Sequence, residues 1–134
     1  MQIKTDRDKW SKESKQSITY NYAPEYYEDI NYFCYKCGEH TIYLASEQKN
    51  AFEVEKRYID QKRYLCKSCY KNLCELKKNI HEYEQKWKNE TDECKKHAPY
   101  LKDWLRAINE IPNYGKSKNH CMAQMLFRLV NEVA

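Results

Sequence analysis

The chain has 134 residues, a third of them charged and 41% hydrophobic, with thirteen tyrosines supplying much of that hydrophobic share. That composition fits one domain, or a small module joined to a short helical one. It allows only a thin core in which tyrosine rings pack while their hydroxyls stay wet. The formal net charge is +4 with acids and bases interleaved, which argues against a phosphate-dominated surface, and no stretch approaches the roughly 20 apolar residues of a membrane span.

Residues 1–29 read as a polar, tyrosine-rich N-terminal arm. Met1 to Ser17 has Trp10 as its one large anchor and reads as frayed or ordered by a partner. Tyr20 and Tyr22 alternate as on a strand before Pro24 interrupts, so 18–27 reads as an extended lead-in. Cys34-Tyr35-Lys36-Cys37 follows, with Gly38, one of only two glycines in the chain, directly behind it. A turn that points backbone N–H groups at two sulfurs needs a residue that accepts positive φ, and glycine does so at no steric cost. Thr41-Ile42-Tyr43-Leu44 is a short β-type run, which suggests a knuckle followed by a hairpin strand.

Ser46 is the expected cap of a helix from Glu47 to about Ile59. Cys66-Lys67-Ser68-Cys69 then leads into Leu73, Leu76, Ile80, Tyr83 and Trp87, at alternating spacings of three and four. That is the seam of a long helix. Residues 30–90 therefore read as one module ending in this helix, and 91–134 as a C-terminal helical segment. Pro99 suits the first turn of a helix bearing Leu101, Trp104, Leu105 and Ile108. Pro112 and Gly115 break it, and Ser117 is the expected cap of a final helix striped with Met122, Met125, Leu126, Leu129 and Val130.

Two pairs of cysteines with two-residue gaps are the chemical signal. Each gap lets one turn aim two thiolates at one ion, and Zn²⁺ takes four soft ligands in a tetrahedron at about 2.3 Å. Cys34, Cys37, Cys66 and Cys69 are the expected ligands of a single structural Zn²⁺. With all four positions filled by protein, no place remains for a catalytic water. The second pair sits at a helix N-terminus, where the dipole and open N–H groups favour thiolates. A knuckle supplying two ligands and a helix start supplying two is a treble-clef arrangement, so the expected fold is α+β, mostly helical: a treble-clef Cys₄ module followed by a small helical bundle.

The stretch from about Tyr32 to Tyr70 also resembles the family of probable zinc-ribbon domains, small treble-clef-like modules. The resemblance is carried by Cys34-x-x-Cys37-Gly38, by Ala45-Ser46-Glu47-Gln48, by Phe52, and by Arg63 shortly before Cys66-x-x-Cys69. The glycine–aromatic pair and proline usual before the second cysteine pair are replaced here by Arg57-Tyr58-Ile59-Asp60-Gln61-Lys62. The resemblance implies zinc binding and no enzymatic activity. It covers under a third of the chain.

Cys74 reads as packed against a neighbour. Cys94 with His97, and His120 with Cys121, have the components of a second tetrahedral site, but buried cysteines and solvated histidines are the better account. His40 reads as exposed, or as a donor to a ligand. No glycine-rich phosphate loop, zinc-hydrolase pair or nucleophile elbow is present, so no enzyme is expected. An odd number of cysteines and no apolar signal segment suggest reduced thiols and a cytoplasmic protein. The expected role is recognition of a macromolecule, preferably a protein, as an adaptor, inhibitor or immunity-type protein, with the Met-containing final stripe and the tyrosine-rich lead-in as contact surfaces. The alternative is nucleic-acid binding through Lys62, Arg63, Lys67 and Lys71 with neighbouring tyrosines.

Overall fold

The computed structural model describes residues 1–133. By their contacts they divide into two units, the first made of 1–34 with 38–66, the second of 35–37 with the chain from Lys67 onward. The architecture is α+β and mostly helical, with two small antiparallel strand pairs, as the sequence suggests.

In the first unit β1 (Gln2–Lys4) pairs with β2 (Tyr26–Glu28), Ile3 opposite Tyr27. Between them lie a 3₁₀ turn (Arg7–Lys9) and two short helices, α1 (Lys12–Lys15) and α2 (Ile18–Asn21). The N-terminal residues are thus folded, where the sequence suggests a frayed arm and an extended lead-in. The reason is Trp10, only 2% exposed, which packs with Tyr27, Ala45, Ala51 and Phe52. Its indole N–H donates to the Tyr27 hydroxyl at 2.8 Å. Burying an indole removes about 150–250 Å² from water, worth roughly 4–6 kcal/mol before ordering costs. Ser11 caps α1 by accepting the Ser14 N–H at 3.1 Å. The buried Ser14 hydroxyl in turn accepts the Ile59 N–H at 2.9 Å and donates to the Arg57 carbonyl.

Strands β3 (Ile30–Phe33) and β4 (His40–Tyr43) form the second hairpin, with Ile30 opposite Tyr43 and Phe33 opposite His40. Helix α3 (Ala45–Lys49) follows and runs into a π-helical turn (Asn50–Val54). It starts earlier than the sequence suggests and stops short of Ile59, and Ser46 lies inside its first turn rather than at the cap. Two carboxylates do the capping instead. Glu47 accepts the Leu44 N–H at 3.2 Å, and Asp29, distant in sequence, accepts the Ala45 N–H at 2.7 Å. The latter bond holds the Asp29 carboxyl below the usual range, against burial and helped by the terminal amine. The helix closes at Lys56, in the left-handed region at φ 60°, where the Arg57 N–H reaches the Ala51 carbonyl at 2.9 Å.

The second unit is helical. Helix α4 (Lys67–Asn89) is followed by the short α5 (Thr91–Cys94), α6 (Ala98–Glu110) with Pro99 in its first turn, a 3₁₀ turn (Ile111–Tyr114), and α7 (His120–Val133). Gly115, at φ 78°, ends the 3₁₀ turn. The cap of α7 is Asn119, not Ser117: its side-chain oxygen accepts the Met122 N–H at 3.1 Å. Leu101, Trp104 and Ile108 of α6 and Leu126 of α7 form the core, joined by Ile80, Tyr83 and Trp87 from the α4 seam. The Trp104 and Trp87 rings lie 5.7 Å apart and the Trp104 and Tyr83 rings 6.4 Å apart. Met122, Met125, Leu129 and Val130 pack on this core, so the final stripe proposed as a contact surface is largely spent on folding.

Glu53 is the one buried carboxylate in the first unit's core region. Burial pushes its pKa up, but the Lys49 ammonium at 2.9 Å, the Tyr27 hydroxyl and the Asp6 N–H at 3.3 Å outweigh that and hold it below the ordinary value. A carboxyl that titrates lower when folded contributes its full stability at neutral pH and loses it as pH falls through the folded value. Glu53→Gln should therefore cost about 1–2 kcal/mol at pH 7. In urea titrations the gap between wild type and variant should narrow as pH falls below about 4. Metal loss acts on both chains, so a gap independent of pH would show that Glu53 is not the titrating group.

Candidate metal centre

Cys34 follows directly on β3, and the turn behind it is closed by a short ladder. The Cys34 N–H donates to the Glu39 carbonyl at 2.8 Å and the Gly38 N–H to the Cys34 carbonyl at 2.9 Å. Gly38 sits at φ 77°, as the sequence suggests for a residue behind such a turn. Cys66 immediately precedes α4, and Cys69 lies in its first turn. The open N–H groups and the positive end of that helix therefore lie at this pair.

The ligand-capable sulfurs of Cys34, Cys37, Cys66 and Cys69 all lie within 4.8 Å of one another. Four thiolates at about 2.3 Å from one Zn²⁺ stand roughly 3.8 Å apart by tetrahedral geometry, so a small contraction closes the shell. The donor set is uniformly soft and supplies four ligands. Cys34, Cys66 and Cys69 are buried and Cys37 is exposed. The residues present are thus compatible with one structural zinc ion, whose role is to hold the two turns and whose coordination leaves no open position. Among the described residues this is the one such cluster of cysteine, histidine or acidic groups.

The polar residues of the Glu-Gln stretch and Arg63 brace this arrangement. Gln48 is buried, and its amide donates to the Glu28 carbonyl at 2.6 Å and the Tyr43 carbonyl at 3.1 Å, tying β2 to β4. Glu47 takes Arg63 at 3.1 Å, and the Arg63 guanidinium lies 4.0 Å over the Tyr43 ring. Burial raises the Tyr43 phenol, with the Arg63 and Arg57 charges opposing. Tyr32 donates its hydroxyl to the Leu65 carbonyl at 2.8 Å, fixing the residue before Cys66. Sequence reasoning ties Glu47, Gln48 and Arg63 to the module only through a resemblance and misses the roles of Tyr32 and Asp29, whose partners lie far along the chain.

The remaining cysteines and histidines do not gather. Cys94 is buried with its sulfur toward the Lys86 carbonyl at 3.8 Å, while Cys121 and His120 are exposed. His97 accepts the Tyr100 N–H at 3.2 Å and so caps α6. Cys74 is exposed, not packed against a neighbour as its spacing suggests. His40 is exposed, its ring edge-on to Phe33 at 5.4 Å.

Elemental analysis of the purified chain should find one zinc per molecule. Cys66→Ser should lower zinc affinity by at least about tenfold and lower thermal stability with it, since a structural ion contributes directly to folding. Zinc content and stability both equal to wild type would remove Cys66 from the shell. Gly38→Ala tests the knuckle separately. A methyl at this position meets no atom within 4 Å, so its cost is the left-handed φ alone, about 1–2 kcal/mol, with zinc retained. Loss of zinc in that variant would show that the turn, and not only its φ, is disturbed.

Residues 28–77 match the family described as a probable treble clef domain. No curated protein and no solved structure matches the chain. The match takes in the 32–70 stretch and its resemblance to treble-clef-like modules, and reaches past it on both sides. Over residues 28–77 the chain is thus similar to treble clef domains, and its four cysteines are arranged for one structural zinc ion.

Proposed function

We propose that this chain is a non-catalytic cytoplasmic recognition module that binds another protein, and that the outer face of the β3–β4 hairpin takes part. The observation that carries this reading is Phe33, 71% exposed, with Ile42 at 44% on the neighbouring strand. Asn31 and Phe33 share one face of the hairpin with His40 and Ile42, while Tyr43 is buried behind. Large apolar side chains held outward on a rigid pair of strands are costly in water and mark contact surfaces. A closed Cys₄ shell supports a structural and not a catalytic metal. Among the described residues no helix is long and apolar enough to cross a membrane.

Nucleic-acid binding is the second reading. Arg63, central to its cationic set, is already committed to Glu47 and to the Tyr43 ring, which weakens that reading. Affinity capture from the source organism, followed by mass spectrometry, decides between the two. Phe33→Glu should keep its zinc and lose the captured partner by about tenfold or more. If single-stranded RNA instead binds tightly, weakens steeply with salt and is released by a Lys67→Glu, Lys71→Glu double reversal, the nucleic-acid reading replaces this one.

A further inference from the structure

Within the second unit a groove of about 480 Å³ opens between α4 and the segment joining α6 to α7. Its floor is apolar: Ile80 of α4, Ile108 at the end of α6, Ile111 of the 3₁₀ turn and Met122 of α7. Its rim is cationic, with Lys77 on one side and Lys116 and Lys118 on the other, against Glu84 as the one acid lining it. The positive end of α7 also lies here, and the first turn of that helix carries no acidic residue to neutralise it.

We propose that this groove docks an acidic peptide segment carrying one apolar anchor side chain. The proposal rests on the protein-recognition reading above and names the chemistry of a partner. Charge complementarity argues for it, because in a chain where acids and bases otherwise interleave, three lysines here face a single carboxylate. Their placement on two separate elements suits several carboxylates spread along an extended or helical segment better than the one headgroup of a small amphiphile. An isoleucine–methionine floor offers a pocket for one aliphatic side chain, in the manner of a segment laid in a groove between helices. The Lys118 ammonium is held by the Asn109 side-chain oxygen at 3.0 Å, which places one rim charge in advance.

The test uses the full zinc-loaded chain and two synthetic peptides rich in aspartate and glutamate, one with a central leucine and one with serine in its place. Binding is followed by nuclear magnetic resonance titration, with decanoate as a small amphiphilic control. The leucine peptide should shift the signals of Ile80, Ile111 and Met122, and the serine peptide should bind about tenfold more weakly, as expected for burying one leucine side chain. A Lys77→Glu, Lys118→Glu double reversal changes one exposed and one half-buried rim charge and no residue of the buried core, so it should keep its fold by circular dichroism and lose the leucine peptide by about tenfold or more. Three results overturn the proposal: no shifts at the groove, equal binding of the two peptides, or decanoate occupying the groove while the peptide does not. A Phe33→Glu-sensitive partner that persists alongside any of these leaves the recognition reading intact and removes only the groove.

Discussion

Four sulfur atoms drawn to within 4.8 Å of one another are the constraint on which the treble clef module depends. As thiolates they repel: a pair about 4 Å apart costs about 4 kcal/mol at an effective dielectric of about 20. A divalent cation reverses the sign of that balance, which is why this chemistry is read as a metal site and not as a set of buried thiols. Everything near the sulfurs is organised to present them in this way. A helix start supplies positive potential to one pair, a glycine at φ 77° turns the chain behind the other, and Tyr32 fixes the backbone one residue before Cys66.

What was legible in the sequence was what is determined locally. Two-residue gaps between cysteines, alternating spacings of three and four along α4, a proline at the start of α6 and a glycine at the end of the 3₁₀ turn each have a meaning fixed within a few residues. The four cysteines, the long helix after them and the mostly helical class followed from these. What depends on residues far apart in the chain was not legible. Nothing in the spacing of Asp29 reveals that it caps a helix sixteen residues later in place of Ser46. Asn119 and Ser117 are both good caps by type, and only the packing of α7 chooses between them. Trp10 in a polar stretch looks like a lone anchor, and its partners Tyr27 and Phe52 become visible only once the strands have paired.

Polar side chains carry much of the specificity in the first unit, as its thin core requires. Gln48 spends both its N–H groups on carbonyls of two different strands, and Glu53 gathers a lysine, a phenol and a backbone N–H. Such groups add little net stability over an apolar packing, but a wrong register leaves them buried and unsatisfied, which penalises alternatives. The aromatic residues divide the same work differently in the second unit. There Tyr83, Trp87, Tyr100 and Trp104 form a continuous cluster by ring contacts, and the Trp104 N–H is buried without an acceptor among the described residues.

The Ser14 hydroxyl, which meets the backbone at Arg57 and Ile59, ties the connection before the second cysteine pair to α1. The segment 57–62 is where the sequence departs from the glycine–aromatic and proline pattern of the modules it resembles. A proline stiffens a connection by itself; this chain obtains the stiffness from outside, by docking the connection on α1. The N-terminal residues and the connection are thus mechanically coupled, because the backbone at Arg57 and Ile59 is held through a side chain of α1. A proline placed within 57–62 would take over that stiffening from Ser14, and removing the N-terminal helices would leave the connection to hold its own shape.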